Sequence, residues 1–237
     1  MKKLNILVAC EESQAVTIEL RNLGHNAYSC DLLPCSGGHP NWHFNHDVFE
    51  VIKNKGGITQ NGAKVKIKDN WDLMIAHPPC TFLAVSGARW YYHPKDSHLP
   101  FEERRPHPRF PNRAKEREEA LDFFIKLLEA PIDRIAVENP IGIVSTRYKK
   151  PDQIVHPWMF GDEASKATCL WLKNLPLLKA TKEVGKGERV VLSSGKSLPK
   201  WYSDALTLSK SPEERRTMRS KTFVGIAKAM AEQWTKD

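Results

Sequence analysis

Two short strings carry the residues best suited to covalent chemistry. His77-Pro78-Pro79-Cys80-Thr81-Phe82 follows the apolar run Leu73-Met74-Ile75-Ala76, and Val137-Glu138-Asn139-Pro140 follows Arg134-Ile135-Ala136. Each reads as a buried strand whose last residues turn polar. In open α/β sheets, ligands sit in the crevice beyond the carboxyl ends of the strands. Cys80 and Glu138 are therefore expected to face one pocket, where a thiolate adds to a ring carbon and a carboxyl group handles a proton. Taken singly, Pro-Pro-Cys also fits a rigid turn before a small buried hydrophobe, and Glu-Asn-Pro a strand-to-turn exit. Their order on successive strand ends makes the pair specific.

Such a pair needs a sheet to position it. Asn5 to Ala9 reads as a first buried strand, with Ser13 as the expected N-cap of a helix through about Leu23 that Gly24 closes. Ala27 to Cys30 reads as a second strand ending in Asp31. Together they form a nucleotide-type βαβ opening, with Cys10-Glu11-Glu12-Ser13 where a glycine-rich turn usually stands. Periodicity predicts a short helix over Asp47 to Lys53, a hairpin or loop insertion within 56–70 and a strand from Asp72 to Ala76. It also predicts a helix from Ala114 to Ala130, strands at Ile132 to Val137 and Thr168 to Leu172, and a closing helix from Thr222 to Trp234. Gly87 to Asn112, crowded with proline and arginine, reads as a long functional surface loop. The expected fold class is α/β, Rossmann-like, with a mostly parallel sheet and a small appended region. The expected division is a catalytic core over 1–173, a small appendage over 174–218 and a C-terminal helix over 219–237 that returns to the core.

The 237 residues carry 36 Lys and Arg against 28 Asp and Glu, a net charge of +8. That balance favours a polyanionic partner, DNA or RNA, because each neutralised phosphate releases counterions. No apolar run approaches the roughly 20 residues of a membrane span, and the first residues lack a signal peptide's apolar stretch. No membrane partner is expected, and a cytoplasmic location is (the host cytoplasm if the protein is phage-encoded). Five cysteines, an odd number, point to reduced thiols. Cys30, Cys35, His39, His43 and His46 are only loosely spaced as zinc ligands. No metal is assigned, and the histidines are placed at a substrate rim or in solvent. His77 is expected to be structural, bonding a loop carbonyl.

Taken together, the motifs resemble those of the DNA cytosine-5 methyltransferases, particularly short phage- or prophage-type members. Their Pro-Cys-Gln is matched by Pro79-Cys80-Thr81, followed by Phe82, Ser86 and Gly87, and their Glu-Asn-Val by Glu138-Asn139-Pro140. Their last motif, Gly-Asn-Ser-Val leading into a helix, overlays Arg219 to Ala231 without a gap. The resemblance implies an S-adenosylmethionine-dependent enzyme acting on a cytosine flipped out of DNA. Cys80 would add to C6 and Glu138 would hold N3 and the exocyclic amine. C5 would take the methyl group, and elimination would free the thiol. Asn139 and Lys166 join the catalytic set. The cofactor would lie along Cys10, Glu11, Ser13, Asp31, Asp47 and Pro78, with Ser220 and Thr222 from the last motif. Ser86, Arg89, Trp90, Arg104, Arg105, Arg109 and Arg147 are the expected DNA contacts, basic for phosphates and aromatic for stacking.

Three departures stand out. The family's Phe-x-Gly-x-Gly turn is replaced by Ala9-Cys10-Glu11-Glu12-Ser13. Its Gly-x-Pro-Gln-x-Arg-x-Arg overlays Gly161 to Thr168, where Lys166 keeps one charge and Thr168 replaces the second arginine; Lys166, Arg89 or Arg147 would take over that role. The target-recognition region is short, leaving room for little direct base readout. Two other readings stay open: the same thiol addition on RNA or a free pyrimidine nucleotide, and a catalytically silent DNA-binding protein. A monomer, or a chain working with an unidentified specificity partner, fits each of them.

Overall fold

The computed structural model describes residues 2–220 and 222–236, so Lys221 of the last motif lies outside the described residues. In chain order the elements are β1 (Asn5–Ala9), α1 (Ala15–Asn22), β2 (Asn26–Asp31), β3 (His43–Asn45), α2 (Val48–Asn54), β4 (Gly56–Ile58), β5 (Lys64–Lys66) and β6 (Leu73–Ala76). They continue with α3 (Arg113–Leu128), β7 (Arg134–Pro140), α4 (Val144–Arg147), β8 (Gln153–Val155) and β9 (Thr168–Lys173). The C-terminal part adds the hairpin β10 (Arg189–Val191) and β11 (Ser197–Pro199), then α5 (Lys200–Thr207), α6 (Pro212–Ser220) and α7 (Val224–Trp234).

The main sheet has seven strands in the order β3-β2-β1-β6-β7-β9-β8. β9 runs antiparallel to both neighbours, and the other pairs are parallel. The fold is thus mixed α/β with a mostly parallel central sheet. From β1 the chain winds one way to β2 and β3, and from β6 it winds the other way to β7. The switch point between β1 and β6 is where a sheet of this kind opens a crevice at its carboxyl edge.

Strand alternation assigns each side chain to a layer. Leu7 and Ala9, Met74 and Ala76, and Ile135 and Val137 pack on one face with Leu121, Phe124 and Leu127 of α3. Ile6 and Val8, Leu73 and Ile75, and Ala136 pack on the other with Val16 and Leu20 of α1 and Ile226, Met230 and Trp234 of α7. The same alternation continues beyond Val137. It sends Glu138 to the α7 face and Asn139 to the α3 face.

Two local expectations are corrected. Ser13 does not cap α1; the residue before the helix is Gln14, in the left-handed region at φ 59°. Glu11 takes the capping role, accepting hydrogen bonds from the amides of Val16 (2.6 Å) and Thr17 (3.3 Å) and from the Thr17 hydroxyl (2.7 Å). A carboxylate there satisfies orphan amides and complements the helix dipole. The proline-rich loop, for its part, folds onto itself. His93 N donates to Arg105 O, Tyr92 and Pro106 form an isolated bridge, and Arg105 clamps the buried Asp96 through two guanidinium bonds of 2.9 and 2.6 Å.

The segment after β9 does not leave the core at once. Leu178 is buried beneath α7, Gln153 bonds its backbone, and the Trp234 indole donates to Pro176 O. Among the described residues, no helix is long and apolar enough to cross a membrane.

Candidate active site

Cys80 sits in a turn pinned from three sides. Its own carbonyl accepts from the amides of Leu83 (3.0 Å) and Ala84 (2.9 Å). Before it, Asn139 Nδ2 donates to Pro78 O at 2.8 Å, tying the Pro-Pro segment to β7. After it, the guanidinium of the buried Arg113 donates to Thr81 O at 2.8 Å and lies over the rings of Phe82, Tyr91 and Phe110. The Tyr91 hydroxyl closes the turn by donating to Phe82 O. The half-buried thiol is thus presented by a rigid turn at the carboxyl end of β6.

Glu138 lines a small cleft with Lys166, Thr168, Thr222, Phe223, Ile226 and Met230. Its Oε2 receives a hydrogen bond from His77 Nδ1 at 3.2 Å. His77, expected to bond a loop carbonyl, therefore bonds the acid instead, while its backbone amide donates to Ala9 O. Burial alone would raise the Glu138 carboxyl, but the His77 bond and the Lys166 charge outweigh it and hold the group below its ordinary range.

The same charges act on sulfur. Burial pushes the Cys80 thiol up and the Glu138 carboxylate adds to that; Lys166 and Arg219 pull the other way without overcoming it, so the thiol stays above its ordinary range. Cys80, Glu138 and Lys166 therefore share one field. Cys30, pushed up to about 12, and Cys169, to about 11, have no such cations, and neither does Cys10. A thiolate is the nucleophilic form, so cationic neighbours mark the thiol that can react. Arg219 was not singled out as a site residue, although it leads the last motif. Its charge acts on Cys80 from the end of α6, where its guanidinium lies 4.3 Å from the centre of the Tyr202 ring.

At the β1 and β2 ends the field has the opposite sign. Cys10, in the left-handed region at φ 57°, makes the tight turn that glycine usually makes there. Its thiol is pushed up by burial and then by the charges of Asp31, Cys30 and Asp47. Asp31 turns toward its own loop, its Oδ1 accepting from Leu33 N at 2.9 Å. Glu11, expected at the cofactor, has both of its oxygens bonded to α1. Asp47 is the N-cap of α2, its Oδ1 accepting from Phe49 N at 2.7 Å. Ser13 is half-buried next to Gln14, and Pro78 is buried. Thr222 lies in the Glu138 cleft, and Ser220 is exposed, bonding Thr217 O.

The expected DNA contacts divide in two. Arg105 is committed to Asp96, Arg104 to the carbonyls of Leu99 and Ser97, and Arg147 to Glu118 at 3.0 Å. Arg105 and Arg147 stay exposed while they make these bonds, and Arg104 is half-buried. Ser86, Arg89 and Arg109 are exposed; the Arg89 guanidinium stacks on Trp90 and that of Arg109 on Phe110.

Of the histidines near Cys30, His46 is exposed and His39 half-buried, and only His43 departs from the expected rim or solvent placement. His43 is buried, its ring bonded to Ser29 Oγ (2.8 Å) and Leu33 O (2.9 Å), and His39 stacks on Trp42. Among the described residues, no three His, Cys, Asp or Glu side chains are grouped to hold a metal.

No protein-family model matches the chain, and no curated protein matches it. One solved structure it resembles is described as a candidate DNA modification methyltransferase encoded within a prophage of E. coli. The two share 15% sequence identity at a TM-score of 0.40, over 72% of this chain and 46% of that one. The chain thus spans less than half the length of that neighbour, and the likeness is too distant to bear on function.

Proposed function

We propose that the protein is an S-adenosylmethionine-dependent DNA methyltransferase that modifies cytosine at C5 through a covalent Cys80–C6 adduct. The observation that carries this reading is the shared field of Cys80, Glu138 and Lys166 at the ends of adjacent strands. A thiol beside a carboxyl group and a fixed cation suits addition to a pyrimidine ring. Lys166 and Arg219 stabilise the thiolate, and Glu138 binds the N3 edge where charge develops. Asn139 and Arg113 act on the turn and keep the sulfur aimed. The sheet order around the β1/β6 switch point supports a Rossmann-like reading of the fold.

S-adenosylmethionine supplies an electrophilic methyl group on a positively charged sulfur. The acidic β1/β2 edge fits that charge, and the Asp31 carboxylate fits a ribose hydroxyl. Arg89, Arg109 and Trp90, on the loop that follows Cys80, would meet phosphates and stack on a base.

The test is product analysis. DNA incubated with the protein and methyl-labelled S-adenosylmethionine is digested to nucleosides. Label in 5-methyl-2′-deoxycytidine is expected with the natural chain and not with Cys80→Ser. Label only in RNA or in free nucleotides would replace DNA as the substrate, and label on an exocyclic nitrogen would overturn the C5 chemistry.

A further inference from the structure

His77 has no part in the chemistry so far, yet its placement is unusual. Its Nδ1 bonds Glu138 Oε2, and its Nε2 is fully buried with no partner. An N–H left unpaired in the interior is rarer and costlier than an unpaired lone pair. The ring therefore carries its proton on Nδ1 and donates to Glu138. The charged groups around it are Glu138 on β7, Glu11 beyond β1 and Lys166 before β9. The Glu11 oxygens are occupied by α1 and take no bond from the ring. Glu138 Oε1 has no bonding partner among the described residues, and the Glu138 side chain opens into the cleft.

Resting on the reading above, we infer that His77 is a positioning residue that determines which oxygen of Glu138 carries a proton, and so selects cytosine over uracil. As sulfur adds, the Cys80 S–H bond breaks and its proton passes to Glu138. Because Oε2 already accepts from His77, that proton resides on Oε1. The carboxyl group then presents a donor at Oε1 and an acceptor at Oε2. Cytosine offers the complement, an acceptor at N3 and a donor at its exocyclic amine. Uracil offers a donor at N3 and an acceptor at O4, so both contacts are mismatched. During addition the S–C6 bond forms, the C5=C6 pair shifts to C4=C5, and the N3=C4 pair moves onto N3, which takes the Oε1 proton. The Cys80 proton thus ends on N3, and no outside acid is needed.

The experiment compares wild type, His77→Ala and His77→Asn, the asparagine amide nitrogen standing near the place of ring Nδ1. DNA carrying 5-fluorocytosine or 5-fluorouracil at one position traps the adduct in the presence of S-adenosylmethionine. His77→Ala is expected to form the cytosine adduct at least tenfold more slowly, with KM for DNA within about threefold, and to lose discrimination against uracil. His77→Asn is expected to recover most of both. Wild-type rate and discrimination in His77→Ala would overturn the inference, and so would an asparagine variant as defective as alanine while still folded.

A second readout needs no substrate. The Glu138 carboxyl titration, followed by carbon NMR in the full chain, should move upward in His77→Ala and stay near wild type in His77→Asn. If wild type forms no adduct at all, the proposed function fails. The titration then judges the His77–Glu138 bond alone, and an unmoved carboxyl overturns it.

Discussion

Glu11 and Glu138 are both acids with little solvent exposure, and they flank the same histidine, yet their carboxyl groups are displaced in opposite directions. Glu11 is pushed up, because burial outweighs the influence of His77 and the bonds from α1. Glu138 is held down, because the His77 bond and Lys166 outweigh burial. The difference lies in what each one faces. Glu11 is consumed by a helix terminus, while Glu138 keeps one oxygen toward a cleft and a cation within reach. The thiols at the same strand ends repeat the contrast. Cys10 lies among acids, whereas Cys80 has Lys166 and Arg219. Around Cys10 every neighbouring charge adds to burial, whereas at Cys80 two cations partly offset it.

The largest effect that could break this contrast is on catalysis. Glu138→Gln keeps the size and the His77 acceptor but cannot carry the proton. Its kcat should fall about 10²- to 10⁴-fold with little change in melting temperature. Glu11→Ala should do the reverse. It strips buried amides of their acceptor and should cost about 1–3 kcal/mol in a denaturant titration, with the chemistry at Cys80 preserved. Equal activity losses in the two variants would erase the distinction.

The pH dependence of stability sharpens the same comparison. Glu138, lowered in the folded state, contributes stability that is present above the ordinary carboxyl range near about 4.3 and is lost as pH falls through its lowered value. Glu11, raised, contributes stability that is present below that range and is lost as pH rises through its raised value. On acidification the stability gap between wild type and Glu138→Gln should therefore narrow, and the gap to Glu11→Ala should widen. Melting curves between neutral and acid pH read both signs.

Much of this was visible in the residues alone. The runs Asn5 to Ala9, Leu73 to Ala76 and Arg134 to Val137 are apolar enough to declare buried strands, and Gly24 closes α1 at φ 87°. Cys80 and Glu138 followed from their position after two of those strands. The β3 and β8 strands were missed because three residues carry no period, and only their neighbours make them strands. The capping role of Glu11 was missed because capping rules favour Ser13, and nothing local says that Cys10 and Gln14 adopt positive φ. His77 was misplaced because its partner lies 61 residues away on another strand. The arginines looked alike in sequence; only the positions of Asp96 and Glu118 show which are paired with acids of the protein.

Smaller effects come from that loop. Arg113→Ala removes a charge-assisted bond to Thr81 O and three ring contacts, and should cost about 1.5–3 kcal/mol, with earlier proteolysis within 85–112. Arg89→Ala should leave stability alone and reduce the slope of log K for DNA against log salt by about 1. Arg105→Ala should instead act on folding of the loop, because Asp96 would be left buried without its cation.

The most direct test of the account is the position of the covalent bond. The protein is trapped on 5-fluorocytosine DNA with S-adenosylmethionine, digested and mapped by mass spectrometry. A single modified peptide carrying Cys80 is expected, absent in Cys80→Ser and strongly reduced in Glu138→Gln. An adduct on Cys10 or Cys35, or one that forms undiminished without the Glu138 carboxyl, would contradict the claim that these two groups act on one pyrimidine.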